Sequence, residues 1–591
     1  MGRLEIIKYI KMHMRNYKRF ILCVFSFIFY TNGYGQHTLF NNGKSCYTIV
    51  IDPNASVSEQ TAANELQNYI YQVSDVKLPI SNNVNKNGNN IYVGWNTKVA
   101  ALTKETKPLD NDESFTYKNI NDNILIYGGS QRGTMYGVFS FLEQQLGIHW
   151  YTNDYTFVPN KKIWSFNSLL KKEKPAFKYR LVYYHDFAIH TKFCAHNRLN
   201  STWNTHSTTY GNFESYYGAH TMKQYVSAKD YFSTHPEYFS LMNGKRISNG
   251  QLCLSNPDVL KICIKKLKEK IAQDSTYWVY SLSQDDNDKP CQCQKCKKLE
   301  EQYGGHSGLM IWFVNQVADV IKKDYPTKYI GTFAYNYSRK APSNSNIKPH
   351  DNVVIRLCDV ECCFAHPLKD GCIKNASFEA DLKNWSKLTS NLYIWDYVVD
   401  FYQFLSPWPN FNSLSKNLKL FQQYNAIGIL EEGNYVSQGG EFSELKAWIL
   451  AKLLWNPDQD VNILVKQFIS DYYGTAAPYI QQYFDLCQSL VKNDTHITIH
   501  SLANNSIYTD CFICQGLALL NKAKDAANSF DIAKRVDFVR LQILYLKFAR
   551  NKDQSLNDGS YSEFIELIKK YKPNIRETMT TDKFLTSEGI K

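Results

Sequence analysis

Short apolar segments alternate with amphipathic helical segments across the middle of this 591-residue chain, and this alternation constrains the fold most strongly. Eight segments are rich in aromatic and β-branched residues, as strands are. They are Phe177–Tyr184, Phe193–Leu199, Tyr238–Met242, Tyr277–Leu282, Tyr329–Tyr335, Val353–Leu357, Leu392–Trp395 and Ile427–Leu430. The pattern predicts an α/β fold centred on a (β/α)8 TIM-type barrel. A doubly wound sheet fits less well, because the intervening helices do not divide into two halves.

Polar residues that follow these segments predict where a site lies. Catalytic groups of a barrel sit just after the carboxyl ends of its strands. The residues at or near such positions are Arg198, Asp285, Asp286, Asn336, Tyr337, Asp359, Glu361, Asp396, Tyr397, Glu431 and Glu432. Carboxylates crowded at one rim repel one another, which is costly unless they are used. The sequence therefore predicts an acidic, aromatic-lined pocket of the glycosidase kind, with Glu431 as a structural member.

The loop after the fourth segment carries the densest cluster of acids. Asp285, Asp286 and Asp288 place three carboxylates within four residues. Their repulsion is expected to raise at least one pKa, and a carboxyl that is partly protonated near neutral pH suits general-acid catalysis. The alternative interpretation is a solvated turn or a calcium loop.

A cysteine cluster follows the acidic loop directly. Cys291, Cys293 and Cys296 form a C-x-C-x-x-C pattern that can supply three thiolates to a structural zinc ion. The fourth ligand remains open among Cys253, Cys362, Cys363 and His306. A disulfide with one spare thiol is the alternative, and no cofactor is expected for catalysis.

The flanking regions predict two further domains and an exported protein. Residues 1–35 resemble a signal peptide, 36–170 an α/β accessory domain, 171–456 the barrel and 457–591 a helical domain. The first 35 positions hold six basic residues and one acidic residue, so about +7 of the total +12 remains for the rest. That mild charge does not favour nucleic acid. A periplasmic, cell-surface or secreted location is expected, without a later membrane span; a retained N-terminal anchor is the alternative.

Several motifs resemble known families. The segment Gly128–Trp150 is similar to the N-terminal domain of α-glucuronidases and β-hexosaminidases. Other landmarks resemble the domain of unknown function 4838, which overlaps glycoside hydrolase family 163. They are His235–Phe239, Gly244–Arg246, Gln251–Cys253, Gln284–Cys296, Trp395–Tyr397, Glu431–Gly433 and Leu454–Asp458. The resemblance implies an endo-β-N-acetylglucosaminidase acting on complex N-glycans.

The resemblance also implies a substrate-assisted retaining mechanism, in which the 2-acetamido oxygen of the sugar attacks the anomeric carbon. By analogy, Asp285 orients the acetamide and Asp286 is the general acid/base. Tyr337 or Tyr397 would bond the acetamide oxygen, and Trp395 or Trp408 would form the base of a subsite. Arg198, Asn336, Glu361, Asp396 and Glu432 complete the predicted substrate contacts, the last three as second candidates for the acid. An exo-acting α-glucuronidase or β-hexosaminidase, or a non-catalytic glycan-binding protein, remains an alternative.

Overall fold

The computed structural model describes residues 36–202, 207–344, 346–369 and 371–590. The predicted leader, residues 1–35, lies outside them. Within these ranges, a helix with the length and apolarity of a membrane span is absent.

A curved parallel sheet forms the centre of the molecule. Among the described residues it has seven strands, which are hydrogen-bonded in the order Tyr179–Tyr183, Gly428–Glu432, Leu392–Tyr397, Val353–Cys358, Tyr329–Ala334, Val279–Ser281 and Tyr216–Tyr217. The first strand along the chain pairs with the last, and the others follow in sequence, as in a TIM-type barrel. Every residue of Val353–Cys358 is buried, as expected for a parallel strand covered on both faces.

Two of the eight predicted strands are wrong. Phe193 lies in the helix Thr191–His196, and Tyr238 ends a short 3-10 turn. Leu241–Met242 pairs with Lys245–Arg246 in a hairpin, whose turn residues Asn243 and Gly244 both have positive φ. Short apolar runs do not distinguish a strand from a buried helix, which explains the error.

Asn200 connects the two ends of the central sheet. Among the described residues no strand pairing joins Tyr179–Tyr183 to Tyr216–Tyr217. The Asn200 side chain instead accepts a bond from the Arg180 N–H (2.9 Å) and donates to the Lys178 carbonyl (2.7 Å). The Asn200 carbonyl accepts from the Glu214 N–H at 2.7 Å. Irregular backbone and one amide side chain thus occupy the place where a second strand was predicted.

Helices cover the outer face of the sheet. The longer ones are Pro257–Gln273, Gln294–Tyr303, His306–Asp324, Ala376–Leu388, Phe411–Gln423 and Ser443–Trp455. The first is capped by the Asn256 side chain, which accepts from the N–H groups of Asp258 and Val259. Its buried residues Val259, Cys263, Leu267 and Ile271 recur every four positions and so form one buried face of the helix.

A second sheet precedes the central one. Its order is Leu170–Glu173, Phe115–Ile120, Asn123–Gly128, Asn89–Val93, Tyr47–Ile51 and Ile80–Ser81, packed against the helices Val57–Ser74 and Gly133–Phe141. The strand Leu170–Glu173 crosses the boundary predicted at residue 170. Buried ion pairs join this region to the central one, since Glu143 contacts both Arg198 and Lys452.

The C-terminal region is helical. Its helices are Val461–Tyr473, Ala477–Gln488, Asp510–Ala526, Phe530–Arg550, Lys552–Asn557, Ser560–Tyr571 and Thr581–Ser587. The loops at Thr498–His500 and Arg576–Thr578 reach the central sheet, where they border a large cleft.

Candidate active site

A cleft of about 1070 Å³ opens at the carboxyl ends of the central strands. Aromatic side chains supply much of its wall: Tyr179, Tyr183, Tyr216, Tyr217, Tyr335, Trp395, Tyr397, Phe401 and Tyr435. Trp395 lies parallel to Tyr335 and to Tyr397, with ring centroids 5.8 and 5.7 Å apart. Flat aromatic groups beside carboxyl groups are the lining expected of a sugar-binding site.

Glu432 is a buried acid that lines the cleft. It is the last residue of the strand Gly428–Glu432 and is only 7% exposed. Burial and, to a smaller extent, the charge of Glu577 raise its pKa to about 8, against the lowering effect of Arg356. Glu432 therefore carries its proton at neutral pH and can donate it to a bound substrate.

Asp286 also lines the cleft, and Tyr335 holds it in place. The Tyr335 hydroxyl donates to Asp286 Oδ1 at 3.0 Å. Burial and the Asp286 charge raise the pKa of Tyr335 well above its usual value, so the phenol remains a donor. The preceding Gln284 is buried and donates to the Tyr335 carbonyl at 3.0 Å, which ties the acidic loop to the neighbouring strand.

Asp285 points away from the cleft. Its Oδ1 accepts a bond from the Lys223 N–H at 3.1 Å, and burial raises its pKa to about 6. The Gln251 side chain accepts from the Asp285 N–H and donates to the carbonyls of Asp285 and Asn287. Gln251, which belongs to the motif Gln251–Cys253, thus holds the loop in a conformation in which the side chains of Asp285 and Asp286 point in different directions.

The other predicted site residues divide into two groups. Asn336, Glu361, Trp395 and Tyr397 line the cleft with Glu432 and Asp286. Glu361 is also paired with Arg339 at 2.6 Å. By contrast, Tyr337 borders a small separate cavity next to Cys291 and Cys296, so it does not share the cleft with Tyr397.

Arg198 and Asp396 also lie outside the cleft. Arg198 is buried, pairs with Glu143 at 2.8 Å and lies over the Trp455 ring, because its backbone turns it towards the first sheet. Asp396 alternates with Trp395 and Tyr397 along one strand, so its side chain faces the opposite side of the sheet.

Asp396 is part of a buried acidic cluster with Asp359 and Glu431. Burial raises the pKa of Asp396 to about 6. Burial and the charge of Asp396 raise the pKa values of Asp359 and Glu431 well above their ordinary range. Asp396 and Glu431 share a hydrogen bond, which requires one of the two carboxyl groups to carry a proton. At least one carboxyl group of the cluster is therefore protonated. The cluster lies behind the cleft, on the opposite side of the sheet from the cleft residues. This position agrees with the structural role predicted for Glu431.

Arg356 is a cleft residue that sequence reasoning missed. It lies in the middle of the strand Val353–Cys358, at the bottom of the cleft, and its guanidinium carbon is 3.5 Å from the Tyr216 ring centroid. Gly331 makes room for that ring, because a Cβ there would lie 2.1 Å from the Tyr216 hydroxyl. The Nε and Nη2 atoms of Arg356 have no hydrogen-bond partner among the described residues, although the residue is only 4% exposed. The sequence did contain a signal for Arg356, because a charged residue within an otherwise apolar strand segment is unusual.

Residues far along the chain complete the cleft. His220 lines it and bonds the Gln284 carbonyl through Nδ1 at 2.8 Å. The loops Thr498–His500 and Arg576–Thr578 form part of the wall, and Tyr435 donates to Glu577 at 2.6 Å. No local sequence pattern marks these loops as cleft residues.

The predicted cysteine cluster gains a fourth member. The sulfur atoms of Cys253, Cys291, Cys293 and Cys296 lie within 4.8 Å of one another. Cys253 Sγ is 3.7 Å from Cys293 Sγ and 3.8 Å from Cys296 Sγ. A tetrahedral zinc site with Zn–S bonds of about 2.3 Å requires sulfur separations of about 3.8 Å. The geometry therefore fits a zinc ion and selects Cys253 among the four candidates.

One solved structure with a TM-score above 0.5 shares this fold, and others are similar to the chain at lower scores. The solved structure of a family GH115 4-O-methyl-α-glucuronidase with specificity for decorated arabinogalactans matches 90% of this chain and 77% of its own, with a TM-score of 0.58 and 13% identity. The structure of CpGH84B matches 94% of each chain (TM-score 0.47, 14% identity). A Flavobacterium johnsoniae chitobiase matches over 92% of this chain and 95% of its own (TM-score 0.45, 12% identity).

Sequence comparison gives the family. No curated protein sequence matches this chain. The model of the domain of unknown function DUF4838 matches residues 150–485, more than half of the chain, which confirms that part of the resemblance. The chain belongs to the DUF4838 family.

Proposed function

We propose that this protein is a glycoside hydrolase whose catalytic cleft is the one lined by Asp286 and Glu432. The observation that carries the proposal is Glu432, a buried acid with a pKa of about 8 inside an aromatic cleft at the carboxyl ends of parallel strands. A protonated carboxyl in such a place can donate its proton to a glycosidic oxygen. The fold shared with a GH115 enzyme supports the same class of reaction.

For the substrate, we propose a β-linked N-acetylglucosamine within complex N-glycans, cleaved with participation of the acetamide. The acetamide oxygen forms a bond to the anomeric carbon as the bond to the leaving oxygen breaks, and Glu432 gives its proton to that oxygen. During this attack Asp286 orients the acetamide N–H, and Tyr397 contacts the acetamide oxygen. Water next attacks the anomeric carbon, the bond between that carbon and the acetamide oxygen breaks, and a proton of the water passes to Glu432, which restores the acid. In this proposal the proton donor is Glu432, whereas the sequence resemblance implied Asp286.

The test combines product analysis with inhibition. Incubation with a biantennary N-glycoprotein, followed by mass measurement of the released glycans, is expected to show whole antennary glycans that end in one N-acetylglucosamine. A thiazoline analogue of the cyclised intermediate is expected to inhibit. Release of single sugars only, or no inhibition by thiazoline, would contradict the proposed substrate and mechanism.

A second candidate function is favoured by Arg356. A guanidinium at the bottom of the cleft, whose Nε and Nη2 atoms have no hydrogen-bond partner among the described residues, suits the carboxylate of a uronic acid. This would make the protein an exo-acting α-glucuronidase, the activity of the GH115 neighbour. Release of glucuronic acid from glucuronidated oligosaccharides, lost in Arg356→Met, would select this candidate. Glycan binding without any turnover would indicate a non-catalytic glycan-binding protein.

We also propose that Cys253, Cys291, Cys293 and Cys296 hold a structural zinc ion. The Cys296 N–H donates to Cys293 Sγ at 3.5 Å, and the Leu241 N–H donates to Cys291 Sγ at 3.4 Å. Arg246 donates to the same sulfur at 3.6 Å. Such donors stabilise thiolates, and the ion would anchor the segment that follows the acidic loop. Export from the cell remains part of the proposal.

A further inference from the structure

We infer that the chain holds a second structural metal site, a zinc ion bound by Cys363, His366, Cys372 and His496. The four ligand atoms lie within 4.8 Å of one another. Three of the residues belong to the loop after the strand Val353–Cys358, and the fourth belongs to the segment between the helices Ala477–Gln488 and Asp510–Ala526. The site is separate from the cleft and from the four-cysteine cluster, and it does not depend on the proposed reaction.

The distances match tetrahedral zinc. Zn–S bonds of about 2.3 Å and Zn–N bonds of about 2.0–2.1 Å place sulfur and nitrogen about 3.6 Å apart at the tetrahedral angle. Cys363 Sγ is 3.6 Å from His366 Nδ1 and 3.3 Å from His496 Nδ1. Cys372 Sγ is 3.8 Å from His496 Nδ1. Two thiols and two imidazoles are a ligand set that zinc commonly takes.

The surroundings fix the ligands in the required state. His366 Nε2 lies 3.0 Å from the Lys492 carbonyl, which can only accept a hydrogen bond. The proton of the neutral ring is therefore on Nε2, and the lone pair of Nδ1 faces the two sulfurs. Asn375 holds the loop from behind: its side chain accepts from the Cys363 N–H at 2.8 Å and donates to the Cys363 carbonyl at 3.0 Å.

The site would tie the wall of the cleft to the central sheet. The Phe364 N–H donates to the Ile497 carbonyl at 2.9 Å, next to His496. The residues that follow, Thr498 to His500, line the cleft. Glu361, two residues before Cys363, also lines the cleft. A bound ion would therefore hold a long loop of the C-terminal region against the carboxyl end of a central strand.

Metal content tests the inference directly. After dialysis against zinc and removal of the excess, wild-type protein is expected to hold one more zinc ion per chain than His496→Asn or Cys372→Ser. The four-cysteine cluster is the same in all three, so its contribution cancels. Cys514→Ser is the matched control, because this cysteine is exposed and outside both clusters, and it is expected to retain wild-type zinc. Cobalt bound at the site is expected to give tetrahedral sulfur–nitrogen absorption bands that both variants lose.

Two further measurements use wild-type protein and therefore test the metal site even if a variant folds poorly. Chelation of wild-type protein is expected to speed proteolysis between residues 489 and 509, and added zinc is expected to reverse it. Equal zinc in wild type and both variants, or unchanged proteolysis after zinc removal, would overturn the inference. A Cys363–Cys372 disulfide in a non-reducing peptide map would overturn it as well. None of these readouts depends on the glycan, so the inference and the proposed function can fail separately.

Discussion

Asp285 and Asp286 are adjacent, yet they bond to different parts of the molecule. Asp285 Oδ1 accepts from the Lys223 backbone at 3.1 Å, away from the cleft, whereas Asp286 Oδ1 accepts from the Tyr335 hydroxyl at 3.0 Å within it. Gln251 fixes this divergence by bonding the loop backbone on both sides of Asp286. A pair of acids that looks interchangeable in sequence is therefore unequal in position.

The first prediction follows from that inequality. Asp286→Asn is expected to lower kcat by about 100-fold or more, because an amide in place of the carboxylate no longer orients and polarises the acetamide N–H during its attack. Asp285→Asn is the matched control and is expected to stay within several-fold of wild type, because it does not touch the cleft. Steady-state kinetics on the glycan substrate measures both. Equal losses in the two variants would mean that the loop rearranges around the substrate.

A second prediction concerns the alkaline limb of the pH–rate profile. Glu432 acts as an acid only while protonated, so kcat/KM is expected to fall as pH rises through about 8. Glu577→Gln removes a negative charge that raises the pKa of Glu432, so the limb is expected to move to lower pH. Glu432→Gln is expected to abolish the limb together with most activity. A limb that stays in place in Glu577→Gln would contradict the assignment.

A third prediction concerns stability at the acidic cluster behind the cleft. Burial raises the folded-state pKa of Glu431 far above its unfolded value, so the folded protein holds a proton that the unfolded chain loses. Between those two pKa values, stability therefore falls as pH rises. Glu431→Gln removes this cost and is expected to stabilise the fold at pH 8 by on the order of 1–3 kcal/mol. Denaturant unfolding at pH 5 and pH 8 measures it, and a gain that does not grow with pH would contradict the explanation.

A fourth prediction separates Arg198 from substrate binding. Arg198→Met is expected to destabilise the fold by about 3–5 kcal/mol, since it leaves Glu143 buried with one partner fewer. KM of the folded fraction is expected to stay near wild type. The double variant Arg198→Met with Glu143→Gln is expected to recover part of the stability. A selective rise in KM without loss of stability would instead indicate that Arg198 binds the substrate.

A fifth prediction concerns the four-cysteine cluster. Zinc removal is expected to lower Tm, and Cys296→Ser is expected to lose one zinc ion per chain, because its sulfur lies within 4.8 Å of the other three. Cys511→Ser, an exposed thiol outside the cluster, serves as the control. Thiol counting under native conditions that found a disulfide among these cysteines would contradict the metal assignment.

The sequence by itself determined the local elements. The strands Tyr329–Ala334 and Val353–Cys358 each match their predicted segments to within one residue. Such elements follow from side-chain period and caps, which are local properties. The same local reasoning predicted acids at the strand ends, and Asp286 and Glu432 both line the cleft there.

Tertiary structure alone decided which of those residues face the cleft. Neighbours on a strand point to opposite sides, so a shift of one position separates Glu432 from Glu431 and Trp395 from Asp396. Cys253 joins the C-x-C-x-x-C motif, and His496 joins Cys363, only through contacts between segments distant in the chain. Such contacts are fixed by the packing of whole elements against one another, and no local pattern of residues encodes them.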